Sequence, residues 1–518
     1  MCLLLASLLP LAAEVVTATF NNANTIPVTA AGYTATGNTV EIQLTFAPSA
    51  GTDLTLVRNT AASFIQGTFD NLAQGQAVNL AYAGIIYSFA ANYYGGSGND
   101  LVLHWANHRL AAWGSNFGGE LGNGGTTNML VPVTVDATGV LAGKAILAGA
   151  TGNQRNLLLC SDGTLAAWGS SNIGASGIPS SNVPVAVDQS GVLAGKTVVA
   201  VSCGYNHSMA LCSDGTLAAW GLNTNGQFGT GNTTASNAPV LVNRSGVLAG
   251  KGIVAIGAGS SFSVALCSDG TLATWGGNVF GQLGNNSTTD STLPVLVNTA
   301  GVLAGRTPVA IAVGGSHTLA LCTDGTLVAW GGNFSGQLGN NSTTQGNVPV
   351  LVTTSGTALA GKTIASLVAG NRTNYVLCSD NTLAVWGDNS FGQLGLGDTT
   401  KRLTAVVVPK SGVLTGKTIT SVAAGYNMAR VHCSDGALVT WGSNDSGQLG
   451  NNSTTSSSSP LLATTSLLLS GERFVGGYQG SEGYHHIARI ASPPAAITST
   501  AAATAVADSG AVLNGSVN

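Results

Sequence analysis

Seven times the chain carries the pair Trp-Gly, at Trp113, Trp168, Trp220, Trp275, Trp330, Trp386 and Trp441, with spacings of 55, 52, 55, 55, 56 and 55 residues. A unit of that length cannot cover its own apolar face and must complete a core against its neighbours. Only a repeat architecture satisfies that. Each unit is written in strands: around Trp330 the runs Pro308 to Gly314, Ser316 to Cys322, Thr326 to Trp330 and Val348 to Val352 are short, β-rich and separated by turn residues. The second run meets the third at Asp324-Gly325, which predicts a two-residue hairpin turn with positive φ. Asp-Gly recurs at Asp162, Asp214, Asp269 and Asp435, and Asp380 is followed by Asn381, which tolerates the left-handed backbone.

Seven four-stranded units at constant period predict an all-β chain whose main domain is a seven-bladed β-propeller, in which circular closure protects the strand edges. Closure is also predicted by counting halves. The run that precedes the Asp-Gly turn occurs at Asn156, Ser208, Ser263, Thr318, Asn374 and Ala429, six times against seven Trp-Gly halves. The missing copy resembles Gly476 to Ile490, at the far end of the repeats, so the last strands are expected to pair with the first, near Trp113.

With W-G-x-N-x-x-G-Q-L-G at Trp275, Trp330, Trp386 and Trp441, and G-G-S-H-T-L-A-L from Gly314 to Leu321, the chain resembles the regulator of chromosome condensation repeat family over about residues 107–491. The resemblance implies the same seven-bladed propeller. Its founding member is a nuclear exchange factor for a small GTPase that works through a β-wedge, whereas the Trp spacings here leave no room for an inserted wedge. The N-terminus also lacks the Lys/Arg cluster that would serve nuclear import or nucleosome contact. Secreted bacterial relatives include a β-lactamase inhibitory propeller, so the resemblance implies protein binding more broadly than any one activity.

Of the 518 residues only 7% are charged, 17 basic and 21 acidic, a balance that offers no electrostatic footprint for nucleic acid or an anionic membrane. Met1 to Ala13 is an apolar run too short to span a bilayer and looks like a signal-peptide core without its basic n-region; a buried strand is the alternative. Residues 14–105 are expected to form a separate β domain, with Val40, Ile42, Leu44 and Phe46 alternating with polar neighbours. Gly67 to Leu103 resembles modules of bacterial autotransporter-like surface proteins. Gly95 to Leu103 also fits one calcium-binding nonapeptide repeat, but one copy cannot stack into a roll. The propeller is placed at 106–491. Beyond it a Pro-Pro and Ala/Ser/Thr linker leads to Ala511 to Asn518, which looks like the opening strand of a fibronectin or immunoglobulin-like module.

Cys160, Cys212, Cys267, Cys322, Cys378 and Cys433 hold one repeat position and read as small apolar residues at strand ends; Cys203 is an extra thiol within reach of a bridge to Cys212 across a hairpin. The slot five residues before each of the six holds Arg155, His207, Phe262, His317, Thr373 and Met428, a scatter that excludes a ring of metal ligands. The Gln slot, Glu120, Ala175, Gln227, Gln282, Gln337, Gln393 and Gln448, suits an amide that fixes its own loop. His485-His486 beside Glu482 is the one local polar cluster and lies in the closing strand, where a structural role is expected. No catalytic, metal or phosphate-loop motif emerges, so the expectation is a chain that is not an enzyme and takes no cofactor.

Strand parity puts the Asp-Gly turns and the G-V-L-A-G-K connectors on one face and the two remaining loop sets on the other. The connector face repeats nearly verbatim, as a structural element would. The other varies, contributing Arg155, Tyr205, His207, Phe262, Arg372 and Tyr426 from one loop set and Phe117, Phe280, Phe334 and Phe391 from the second. Aromatics and Arg on rigid loops are favoured interface anchors, although the four Phe would equally serve by tucking between blades. The sequence therefore points to a monomeric, extracellular or cell-surface propeller that binds a protein or surface ligand through Arg155, Tyr205, His207, Phe262, Phe280, Phe334, Arg372, Phe391 and Tyr426. The alternative is a regulatory propeller, acting in GTPase exchange or hydrolase inhibition through the same face.

Overall fold

The computed structural model describes residues 13–96, 98–170, 173–174, 178–478, 480–496, 506–507 and 510–511. The leading apolar run before Ala13, Ala175 of the Gln slot and all but the first residue of the closing segment from Ala511 lie outside them. Trp105–Pro493 is one compact unit, and the strands before it, with the residues from Pro494, belong to another.

Among the described residues the larger unit is built of seven antiparallel four-stranded sheets, the repeated element of a β-propeller. Sheets one to six cover 146–186, 198–241, 253–296, 308–351, 364–407 and 419–462, each taking its four strands in chain order. Sheet seven draws on both ends of the unit. Arg473–Tyr478 and His485–Ala491 supply its first two strands, and His108–Gly114 and Met129–Thr134 its last two. His486 stands opposite Trp113 and Ala491 opposite His108. The first strands neighbour one another in succession, and that of sheet seven touches those of both sheet six and sheet one.

Position in the sheet explains composition. Second and third strands such as His317–Cys322 and Leu327–Gly331 are covered on both faces and are apolar almost throughout. Fourth strands are edges, and edges invite pairing with other chains. Proline, which removes a ladder donor, stands in them at Pro132, Pro184, Pro239, Pro294, Pro349 and Pro460, and Ala405 takes its place in sheet five. The core lies between consecutive sheets: Leu319, Leu327 and Leu338 of sheet four pack with Val376, Cys378 and Trp386 of sheet five.

One hairpin expectation is corrected, and one pairing left open by the sequence is closed. The Asp-Gly turn is wider than two residues: Cys322 N–H donates to Thr326 O, Thr326 N–H to Asp324 Oδ1, and the left-handed backbone falls on Gly325 (φ 80°) and not on Asp324. Asn381 takes that conformation at φ 66°. A Cys203–Cys212 bridge is ruled out by register, because Val198 stands opposite Cys212 and Ser208 opposite Cys203. Both thiols are buried and free, as are the other five described cysteines.

The connectors are tied to the turns by ion pairs: Lys144–Asp162 (2.7 Å), Lys196–Asp214 (2.6 Å), Lys251–Asp269 (2.5 Å), Arg306–Asp324 (2.9 Å), Lys362–Asp380 and Lys417–Asp435. Partly exposed pairs contribute little energy each. They do hold this face to one geometry in sheets one to six.

Between sheets the join is polar. Six of the seven repeat indoles donate across the boundary to the backbone carbonyl of the preceding sheet's Gln slot: Trp113 to Gln448, Trp168 to Glu120, Trp275 to Gln227, Trp330 to Gln282, Trp386 to Gln337 and Trp441 to Gln393, at 2.8–3.1 Å. For Trp220 the equivalent carbonyl would come from position 175, outside the described residues.

In the smaller unit Val15–Phe20 runs parallel to Thr39–Leu44, where Val40 and Leu44 are buried and Glu41 and Gln43 exposed. A second sheet orders Val28–Ala30, Leu54–Asn59, Asp100–Trp105, Ile85–Gly95 and Ala495–Ala496, with Ala77–Tyr82 paired to Ile85–Gly95. The stretch expected as linker thus supplies a short strand. Asp100, the acid of the calcium-like nonapeptide, accepts the Asn59 N–H at 2.8 Å.

The Trp330 clasp yields a test. Trp330→Phe keeps most of the ring but strands the buried Gln282 carbonyl, and is expected to cost about 1–3 kcal/mol in denaturant unfolding.

Candidate functional site

The variable face is held by side chains that bond their own loop. In the third-to-fourth-strand loops of sheets two to seven a buried Asn organises the turn: Asn333 Oδ1 accepts Leu338 N–H (2.8 Å), while its Nδ2 donates to Ser342 O and Thr344 O. Gln337 Oε1 accepts Ser335 N–H (2.9 Å), and Gln227, Gln282, Gln393 and Gln448 do the same two residues back, as the Gln slot predicts. One or two residues between Asn and Gln point outward from the loop. There stand Phe117 (74% exposed), Val279 (61%), Phe334 (55%) and Phe391 (41%), with Phe280 half-buried. Phe280 and Phe334 meet edge to face at 5.4 Å across the boundary of sheets three and four. Val279, Phe280, Phe334 and Phe391 therefore occupy three consecutive sheets.

The first-to-second-strand loops form the inner part of this face, and here the sequence reading needs correction. Arg155, His207 and Phe262 are buried, each the first residue of a second strand, and cannot meet a partner. Their slot is a boundary element. His207 Nε2 lies 2.9 Å from Ser263 Oγ, His317 Nε2 2.8 Å from Asn374 Oδ1 and His485 Nε2 2.7 Å from Asn156 Oδ1, each partner on the next sheet. Burial pulls these imidazoles down to about 3, 4 and 3, so they are neutral links. Burial likewise lowers Arg155, to about 10. Of the inner residues expected at the surface, Arg372 is exposed, and Tyr205 and Tyr426 are half-buried.

One residue read as structural from sequence belongs to this face. Glu482, just before the second strand of sheet seven, is fully buried. Its carboxyl accepts from Ser260 Oγ (2.8 Å) and from Asn371 Nδ2 (3.1 and 2.9 Å). Burial raises it to about 7, against the opposing effect of those donors and of Arg372. Beside it Tyr426 and Tyr484 stack at 4.6 Å and 23°. The available signal was length: six residues separate Tyr478 from His485, where the corresponding loops of the other six sheets have three. Among the described residues no group of His, Cys, Asp and Glu is placed to hold a metal ion, and no helix is long and apolar enough to cross a membrane.

Repeated four-stranded sheets with one clamped and one variable face define a β-propeller. Its repeats match the Regulator of chromosome condensation (RCC1) repeat over residues 214–266, 269–321, 324–377, 380–429 and 435–475, and a second pattern of the same description matches 198–227, 253–282, 309–337 and 364–393. The chain thus carries RCC1 repeats on an RCC1-like propeller. The fold is similar to that of yeast RCC1 (Prp20) bound to Kap60 (TM-score 0.64, 19% identity, 74% of this chain and 89% of that one) and of human WBSCR16 (TM-score 0.61, 21%, 73% and 99%). Prp20p of Saccharomyces cerevisiae has also been solved in work on its binding to Gsp1p and histones (TM-score 0.63, 21%, 74% and 92%).

Among sequence relatives, human E3 ubiquitin-protein ligase HERC2 is 29% identical over 379 residues, 68% of this chain. Ultraviolet-B receptor UVR8 of Arabidopsis thaliana is 28% identical over 345 residues, 66% of this chain and 74% of the receptor. The chain spans 7% of the length of HERC2. These relatives correct the expectation of a chain that is not an enzyme, because HERC2 and the human HERC6, 34% identical over 255 residues, are named as ligases. The expectation had rested on missing motifs within the repeats, which say nothing of an activity to which repeats are joined.

Exposure separates anchors from structure. Phe334→Ser is expected to leave stability within about 0.5 kcal/mol of the parent, whereas His317→Ala, which removes the partner of Asn374, costs about 2 kcal/mol by chemical denaturation.

Proposed function

We propose that this chain is a regulatory propeller that recognises a protein partner through the arc of Val279, Phe280, Phe334 and Phe391, with Arg372 on the inner side. In this reading the seven sheets are seven blades of a closed ring, with sheet seven as the seam. The observation that carries it is the arc itself: exposed apolar side chains on three neighbouring sheets, each held out by a loop whose Gln Oε1 accepts one of the loop's own backbone N–H groups. Rigid aromatics lose little entropy on binding and, with Arg, supply most interface hot spots. The relatives support a regulatory role over adhesion, being named as ligases, a photoreceptor and a protein studied for binding Gsp1p and histones. In a ligase setting the propeller would select what the joined activity acts on, and in a GTPase setting the face would meet the GTPase.

The test pairs binding with activity. A panel of small GTPases and histones is titrated against the chain and against a Phe334→Ser, Phe391→Ser, Arg372→Ala variant, with nucleotide release followed by fluorescent GDP. A partner held through the arc loses about tenfold or more in affinity with the variant. A partner bound equally well by both would overturn the assignment of this surface.

A further inference from the structure

Sheet seven differs from the others at the centre of the variable face. Three residues before each second strand, sheets one to six carry glycine: Gly152, Gly204, Gly259, Gly314, Gly370 and Gly425. A Cβ at any of them would fall under 3.0 Å from a glycine carbonyl oxygen of the next sheet, Gly425 meeting Gly483. Counted back from its second strand, sheet seven has Glu482 at this place, and the glycine contacts pass instead through the next residue, Gly483, whose Cβ would lie 3.4 Å from Gly152 O.

The longer loop carries that side chain across the face. A Cβ at Gly480 would strike the carbonyl of Thr151 in sheet one and approach that of Cys203 in sheet two. Glu482 reaches Ser260 of sheet three, lies against Gly315 of sheet four and accepts from Asn371 Nδ2 of sheet five at both carboxyl oxygens. Gly483 O accepts the Tyr426 N–H of sheet six at 3.0 Å, and Tyr484 stacks on the Tyr426 ring. One short loop thus touches every other sheet of the unit.

A carboxyl in this position responds to its proton. The titratable and charged neighbours are Arg372 on sheet five, Tyr426 on sheet six, Tyr205 on sheet two and Tyr484 of the loop itself, while sheets three and four offer the neutral Ser260 and Gly315. Losing the proton leaves a charge buried at the centre of the face, which regains water only if the loop lifts. We propose that residues 480–484 form a proton-operated cap over the centre of this face, seated when Glu482 is protonated and loosened when it ionises.

The sign follows from linkage. The seated carboxyl titrates at about 7 and the lifted one near its ordinary 4.5, so the seated form binds more protons between those values. The cap is held fully below that window, weakens as pH rises through it and weakens no further above about 7.

Hydrogen exchange of the full chain from pH 5 to 8.5, corrected for intrinsic rates, reads the cap directly. Opening of 480–484 and of the loops at Ser260 and Asn371 is expected to rise by up to about tenfold per pH unit to pH 7, the limit for one proton, and then level off. Glu482→Gln, which keeps the shape without the charge, holds the acid-side protection throughout. Arg372→Ala, at an exposed position, moves the levelling point to higher pH. Protection of 480–484 that is independent of pH in the parent chain, an equal pH dependence in Glu482→Gln, or an unmoved levelling point in Arg372→Ala would each overturn the proposal.

Discussion

The structure depends on the hydrogen bond from a Trp indole of one sheet to the carbonyl that ends the loop of the sheet before it. A four-stranded sheet of this size leaves both faces apolar, so it is stable only between two others. Apolar packing alone sets no angle between sheets, because it is non-directional. The buried indole donor does set one, since leaving it unpaired costs more than its bond contributes. Where His fills its slot, the imidazole adds a second link across the same boundary, burial keeping it neutral. At the boundary of sheets seven and one the same pair of links recurs: Trp168 reaches Glu120, and His485 reaches Asn156.

The repeat made the architecture legible. A fixed Trp spacing, four strand-like runs per unit and a count of halves lead to four-stranded sheets and to the pairing of His485–Ala491 with His108–Gly114 without any structural input. The Gln slot was legible as well, because a Gln that is two residues from a backbone donor has few better partners. What failed was depth. The slot shared by Arg155, His207 and Phe262 varies within the chain, and variation was read as exposure; it instead reflects what each boundary accommodates, since the partner on the next sheet varies too. Parity gives the face of a loop but not whether its side chain points along the axis or back between sheets.

Other contacts were illegible for want of a local signal. The Lys–Asp pairs lie 18 residues apart, on either side of two strands, and declare themselves only once the connector and the turn share a face. Glu482 was read with His485 and His486 as a structural cluster of the closing strand, yet its partners Ser260 and Asn371 are 222 and 111 residues away. Its loop betrayed itself only by length. These two features distinguish the faces: one is fixed by six repeated ion pairs and varies little, while the other is organised by internal amides and by a single crossing loop.

The claim that the boundaries are alike all the way round is tested most directly at the indoles. With Trp labelled by nitrogen-15, exchange of each Nε1 proton with solvent is followed by NMR. If the seam is a boundary like the others, Trp113 and Trp168, which flank sheet seven and sheet one, exchange as slowly as Trp275, Trp330 and Trp386. Fast exchange at Trp113 and Trp168 with slow exchange at the other three would mean that the ring is open where the two ends of the unit meet, and would contradict the account.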